Sequence, residues 1–195
     1  MRIQNSFYSI TAAVETMPVL DAFDVVHNLN NKKLDDFYMA WVFNVLSSDG
    51  SSRSIALIDL LCGGYEPYAV LEDHALTALL FDGIVRIDLT TGLVVQHEKC
   101  KNLGGLQEIF PIENGYIIWG EGDIFRYDHD LNQIWHFMGR DILVSQAADK
   151  HFWIENDLIH CRDFQGWQYI LDFDGNLLHN FREFEDPENS PSISD

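Results

Sequence analysis

Residues 114–137 read NGYIIWGEGDIFRYDHDLNQIWHF. Three apolar runs of strand length, YIIWGE, IFRYD and QIWHF, alternate here with short stretches of Gly, Asp, Glu and Asn. Just before them LQEIFPI ends at the turn formers Glu113, Asn114 and Gly115. Four short runs separated by turn chemistry predict an up-and-down antiparallel meander, because each break is too short for anything but a hairpin.

The plan recurs on both sides. Upstream, YAVLED, ALTALLF, IVRIDL and LVVQHEK are separated by Asp73-His74, Asp82-Gly83 and a Thr-Thr-Gly turn. IVRID superposes on IFRYD, so that Ile84, Arg86 and Asp88 fall on Ile124, Arg126 and Asp128 at an offset of 40. Downstream, ILVSQAA, HFWIE, LIHCRDF and GWQYILDFDGNLLHNF read as a further unit, with turns at Asp149-Lys150 and Asn156-Asp157. A fainter unit, FYMAWVFNVLSSDGSSRSIALIDLL, turns at Asp49-Gly50. The final hairpins of the four units fall at Gly50, Gly92, Asn132 and Gly175, spaced by 42, 40 and 43 residues. A period of about 40–45 residues with four strands per unit is the sequence mark of propeller blades.

The unit GYIIWGEGDIFRYDHDLNQIW resembles a blade of the β-propeller group, with its WD40-like and quinoprotein-like repeats. The resemblance spans roughly residues 66–180. It implies architecture alone, since the chain has neither a Trp-Asp dipeptide nor a Gly-His pair. The expected fold is therefore all-β, with about four propeller-like four-stranded antiparallel meanders in a small or partial propeller. A β-sandwich or barrel is the alternative. At 195 residues the chain has length for one domain, expected over 1–182. Its first 65 residues are less regular, and Val19, Phe23 and Val26 share one face of a short helix expected near 19–29. The segment 183–195, EFEDPENSPSISD, reads as an acidic flexible tail.

Charge narrows the functions. The chain holds 31 acidic against 12 basic residues, a net charge of −19. That opposes binding of nucleic acid or of anionic membranes and favours a basic protein or cations. No apolar run approaches the ~18 residues of a membrane span, and the first ten residues lack the pattern of a secretory signal. Cys62, Cys100 and Cys161 form no CxxC pair, so a reducing, cytoplasmic setting is expected. There is no G-x-S-x-G, no close His pair, and DFDGN (172–176) lacks the distal Glu of a calcium loop. No cofactor and no metal are expected, and catalysis is not.

In an up-and-down blade the turns between second and third strands share a face with the links between blades. On the strand assignment above, those turns hold Asp82, then Glu121 and Asp123, then Asp157 with Glu155 beside it. These five carboxylates form the expected partner-binding surface. The profile, small, acidic and without catalytic motifs, resembles that of bacterial immunity proteins. That resemblance implies a basic partner such as a nuclease toxin, neutralised by covering its active site. The alternative is a carboxylate-based enzyme or sugar-binding module on the same scaffold.

Overall fold

The computed structural model describes residues 1–31, 33–34, 38–59, 68–101, 104–144 and 150–182. Cys62 and the segment 183–195 lie outside them. The described residues form seventeen strands in four sheets and no α-helix.

Three of the sheets are four-stranded meanders in chain order: β6 (Ala69–Glu72) to β9 (Leu93–Lys99), β10 (Leu106–Ile112) to β13 (Gln133–Met138), and β14 (Phe152–Glu155) to β17 (Leu177–Arg182). Between these ends lie β7 (Ala75–Leu80) and β8 (Gly83–Asp88), β11 (Gly115–Gly120) and β12 (Asp123–Tyr127), and β15 (Leu158–Arg162) and β16 (Trp167–Asp172). Pairing within each is antiparallel throughout. The opening stretch is thus one blade, and the expected all-β, propeller-like architecture is observed.

The blades stack in chain order because their middle strands are apolar on both faces. In β11 and β12, Tyr116, Ile118 and Phe125 pack with Leu79 and Ile84 of the preceding blade, while Ile117 and Ile124 pack with Phe152 and Ile159 of the following one. The side chains alternate strictly, but both destinations are dry, so the sequence shows a continuous apolar run. Leu76, Ala78, Leu80, Val85 and Ile87 face the first sheet in the same way, meeting Trp41, Phe43, Ile55 and Leu57. Burying side chains of this size stabilises by roughly 1.5–3 kcal/mol each.

The first sheet departs from the plan. Its order is β1 (Arg2–Gln4), β2 (Tyr8–Thr16), β4 (Met39–Ser47), β5 (Ser52–Asp59) and β3 (Val25–His27). β3 lies outermost and parallel to β5. The helix expected near 19–29 is absent: a 3-10 turn at Leu20–Ala22 is followed by β3. The β-branched pair Val25-Val26 favours extended backbone, and Val19 offers no side-chain oxygen to cap a helix. Phe23 packs on Ala40, Val42 and Ala56, on the sheet face turned away from the second blade.

The last blade is offset from expectation by one strand. Of ILVSQAA, expected as its first strand, residues 142–144 are irregular and the rest lies outside the described residues. Leu143 is fully buried against the third and fourth blades from the connecting segment. Leu143 is thus apolar for burial and not as part of a strand. HFWIE supplies the first strand instead, and Asn156-Asp157 joins the first and second strands, both with positive φ (51° and 59°) as a two-residue hairpin of the primed kind needs.

Candidate functional site

An antiparallel blade has two ends. One carries the turns between first and second strands and between third and fourth, here the hairpin end. The other carries the second-to-third turns and the links between blades, here the link end. Hydrogen bonds between neighbouring blades keep the two ends distinct. At the hairpin end Asn5 donates to the Asp73 carbonyl at 2.9 Å and Trp135 Nε1 to the Phe173 carbonyl at 2.9 Å. At the link end the Leu106 amide donates to Phe81 at 3.1 Å and the Glu121 amide to Gly105 at 3.0 Å.

The five expected residues divide between these ends. Asp82, Glu121 and Asp123 lie at the link end, as expected. Glu155 and Asp157 lie at the hairpin end, because the last blade begins one strand later than its sequence pattern implied. The three link-end carboxylates are engaged within the fold. Asp82 Oδ1 accepts from Asn30 Nδ2 at 2.9 Å, and Glu121 Oε1 accepts from Gln107 Nε2 at 3.5 Å. Asp123 is fully buried, with its Oδ1 2.5 Å from His136 Nε2.

Bases also sort by end. Arg2, Lys33, Lys99, Lys101, Arg140, Lys150, Arg162 and Arg182 sit at link-end strand termini or in link-end connections, among acids such as Glu98 and Asp141. The hairpin end holds Asp49, Asp73, Asp88, Glu113, Asp128, Asp130, Glu155, Asp157, Asp172 and Asp174. The described bases nearest to it are three. Arg53 is spent on the Leu89 and Thr90 carbonyls at 3.2 and 3.1 Å. Arg86 and Arg126 lie within strands between blades.

Four of these acids build their own turns. Asp128 accepts from the Asn132 side-chain amide at 2.9 Å and its backbone N–H at 2.8 Å. Asp172 repeats the arrangement with Asn176 at 2.9 and 2.8 Å. Asp88 accepts from Thr90, and Asp49 from Ser51, through hydroxyl and backbone N–H alike. Bonds to the charged form hold all four carboxyls below the ordinary range, the side-chain partner contributing most in each. The repeating Asp of IVRID and IFRYD is therefore a turn cap. Asp73, Glu113, Asp130, Glu155, Asp157 and Asp174 are exposed, and no ion pair involves them among the described residues.

Between the second and third blades this end is closed by a polar network. The Tyr116 hydroxyl donates to Glu72 and accepts from Arg86 Nη2 at 3.0 Å, while Arg86 Nε reaches Thr77 at 3.4 Å. Burial, then the bond to Glu72, pushes the Tyr116 hydroxyl pKa up. No group of three His, Cys, Asp or Glu among the described residues is placed to hold a metal, and no described helix is long and apolar enough to cross a membrane.

No protein-family model matches the chain, and no curated protein does. Solved structures similar to it include the computationally designed Ika8 protein, at 9% identity, TM-score 0.49 and 72% of this chain covered. BamB from Moraxella catarrhalis is similar at 14% identity and TM-score 0.47 over 75% of this chain. Hsv2 from Kluyvelomyces marxianus is similar at 10% identity and TM-score 0.42 over 72%. The chain spans 46% of the length of each.

Proposed function

We propose that this protein is a binding module that engages a basic protein through the acidic hairpin end of its blades. The observation that carries the reading is the one-sided charge: six exposed carboxylates in neighbouring turns, against a single base without a partner at this end among the described residues, Arg126, which is recessed between the third and fourth blades. Adjacent like charges raise the local potential and draw in a cationic surface, with association rates up to about 10⁸–10⁹ M⁻¹s⁻¹ at low salt. An inhibitor of the immunity type, covering the basic cleft of a nuclease toxin, is one protein that such a surface suits. The proposed contact residues are Asp73, Glu113, Asp130, Glu155, Asp157 and Asp174. Asp82, Glu121 and Asp123 serve the fold instead.

The test is capture of partners at low and high salt by the parent chain and two charge-reversed variants. One carries Glu113→Lys and Asp157→Lys at the hairpin end. The other carries Glu98→Lys and Asp141→Lys at the link end, with the same change in net charge. Capture of a basic protein that salt weakens, lost in the first variant and kept in the second, supports the reading. Equal effects of the two variants refute it.

A further inference from the structure

Arg126 repeats Arg86 one blade later, but its partners do not repeat. Arg86 lies opposite Thr77, which accepts from it, and Arg126 lies opposite Ile117. The position of Glu72, last residue of its strand, is taken by Ile112. The position of Tyr116, second in its strand, is taken by Ile159 of the last blade. Arg126 Nη1 is buried and has no hydrogen-bond partner among the described residues. Arg126 is half-buried, and a guanidinium nitrogen shut off from solvent without an acceptor is costly to keep, so the group calls for one.

Arg126 lines a cleft of about 580 Å³ between the third and fourth blades, open at the hairpin end. That volume falls within the range of roughly 300–1,000 Å³ seen for small-molecule sites. Ile112, Ile154 and Phe173 give it apolar walls, and Glu113, Asp157 and Asp174 supply carboxylates. One wall is fixed: Trp135 Nε1 donates to the Phe173 carbonyl, and Gly175 lies so close that a Cβ there would stand 2.8 Å from the Trp135 ring.

From this juxtaposition of an unpaired guanidinium, apolar walls and three carboxylates we infer that the cleft binds a small zwitterion, its carboxylate on Arg126 and its ammonium among Glu113, Asp157 and Asp174. A simple anion satisfies Arg126 but meets three carboxylates on a chain of net charge −19. A simple cation satisfies the carboxylates but leaves the guanidinium unpaired beside a like charge. A ligand with both charges, separated by a short aliphatic stem along the apolar walls, satisfies every group. The cleft shares Glu113, Asp157 and Asp174 with the protein-binding surface proposed above, but the inference rests on Arg126 and the apolar walls, which that reading does not use.

Isothermal titration with 6-aminohexanoate, hexanoate and hexylamine tests it, since the three share a stem and differ only in their charged ends. We expect 6-aminohexanoate to bind at least about tenfold more tightly than either singly charged analogue. Arg126→Met should bring 6-aminohexanoate down to the affinity of hexylamine. Asp174→Asn, at an exposed turn position whose carboxylate makes no hydrogen bond among the described residues, should weaken 6-aminohexanoate and leave hexanoate no weaker. Absence of heat with 6-aminohexanoate at millimolar concentration, equal affinity for all three probes, or unchanged binding in both variants overturns the inference.

Discussion

His136 Nε2 lies 2.5 Å from the carboxylate of Asp123, and the same imidazole stacks on Phe125 at 4.6 Å with planes 6° apart. Asp123 opens β12 and is fully buried, whereas His136 stands on the outer strand β13, opposite Phe125. The outer strand thereby supplies the imidazole that faces a carboxylate cut off from solvent. Replacing His136 with Leu keeps much of the packing on Phe125 and removes the polar contact. A buried acceptor that loses a partner costs about 1–3 kcal/mol. Urea unfolding should show His136→Leu destabilised by that amount with an unchanged m-value. A variant as stable as the parent means that Asp123 does not depend on His136.

The capping carboxylates predict an acid-sensitive fold. Asp49, Asp88, Asp128 and Asp172 all have folded pKa values below the ordinary value of 3.8. Their stabilisation is therefore fully present above the unfolded pKa and is lost as pH falls through the folded values. Melting temperature should be level down to about pH 5 and drop steeply below the ordinary carboxylate range. Asp128→Asn, which cannot ionise, should melt lower than the parent at neutral pH and flatten that acid limb. An acid limb of the same slope in both proteins would show that the turn caps are not its source.

Buried thiols should resist modification. Cys100 lies 3.1 Å from the Tyr127 hydroxyl, and burial raises its pKa to about 11. Burial likewise pushes Cys161 far up. The thiolate is the reactive form, and at pH 8 both are overwhelmingly protonated. A Cys62→Ser variant should take up almost no maleimide when native and two equivalents in denaturant. Rapid native labelling of either cysteine would contradict the packing around it.

These outcomes mark where the sequence was readable. The strands of the second and third blades and the hairpin turns at 49–50, 90–92 and 174–175 follow from apolar runs set against Asp, Asn, Thr and Gly, because both signals are local. The last blade misled because Leu143 is apolar for a tertiary reason, filling space beneath a link, and an apolar run cannot tell a strand from a plug. That single offset placed Asp157 at the wrong end. The acidity of the hairpin turns is legible in the sequence, but the division of roles among them is not: capping Asp128 and exposed Asp130 sit two residues apart in the same turn, and only the hydrogen bonds separate the first role from the second. The orphaned Arg126 was invisible because its oddity lies in what faces it across a blade junction.

Leu131 sets two effects against each other. It is only 1% exposed, packs between the second and third blades, and has φ = 56°, where the equivalent turns use Gly92 and Gly175 at 77° and 84°. A left-handed backbone costs a side-chain-bearing residue roughly 1–2 kcal/mol, so Leu131→Gly relieves strain. It also removes a buried Leu side chain, and truncation of Leu in a core costs about 2–5 kcal/mol. Packing wins, and Leu131→Gly should be less stable by about 1–3 kcal/mol. Gly175→Ala isolates the other term, since it gains a Cβ at the same backbone conformation and against Trp135. It should be destabilised by at least roughly 1–2 kcal/mol. Chemical denaturation of both variants decides the balance: a Leu131→Gly protein more stable than the parent would show that turn strain outweighs the buried side chain at this junction.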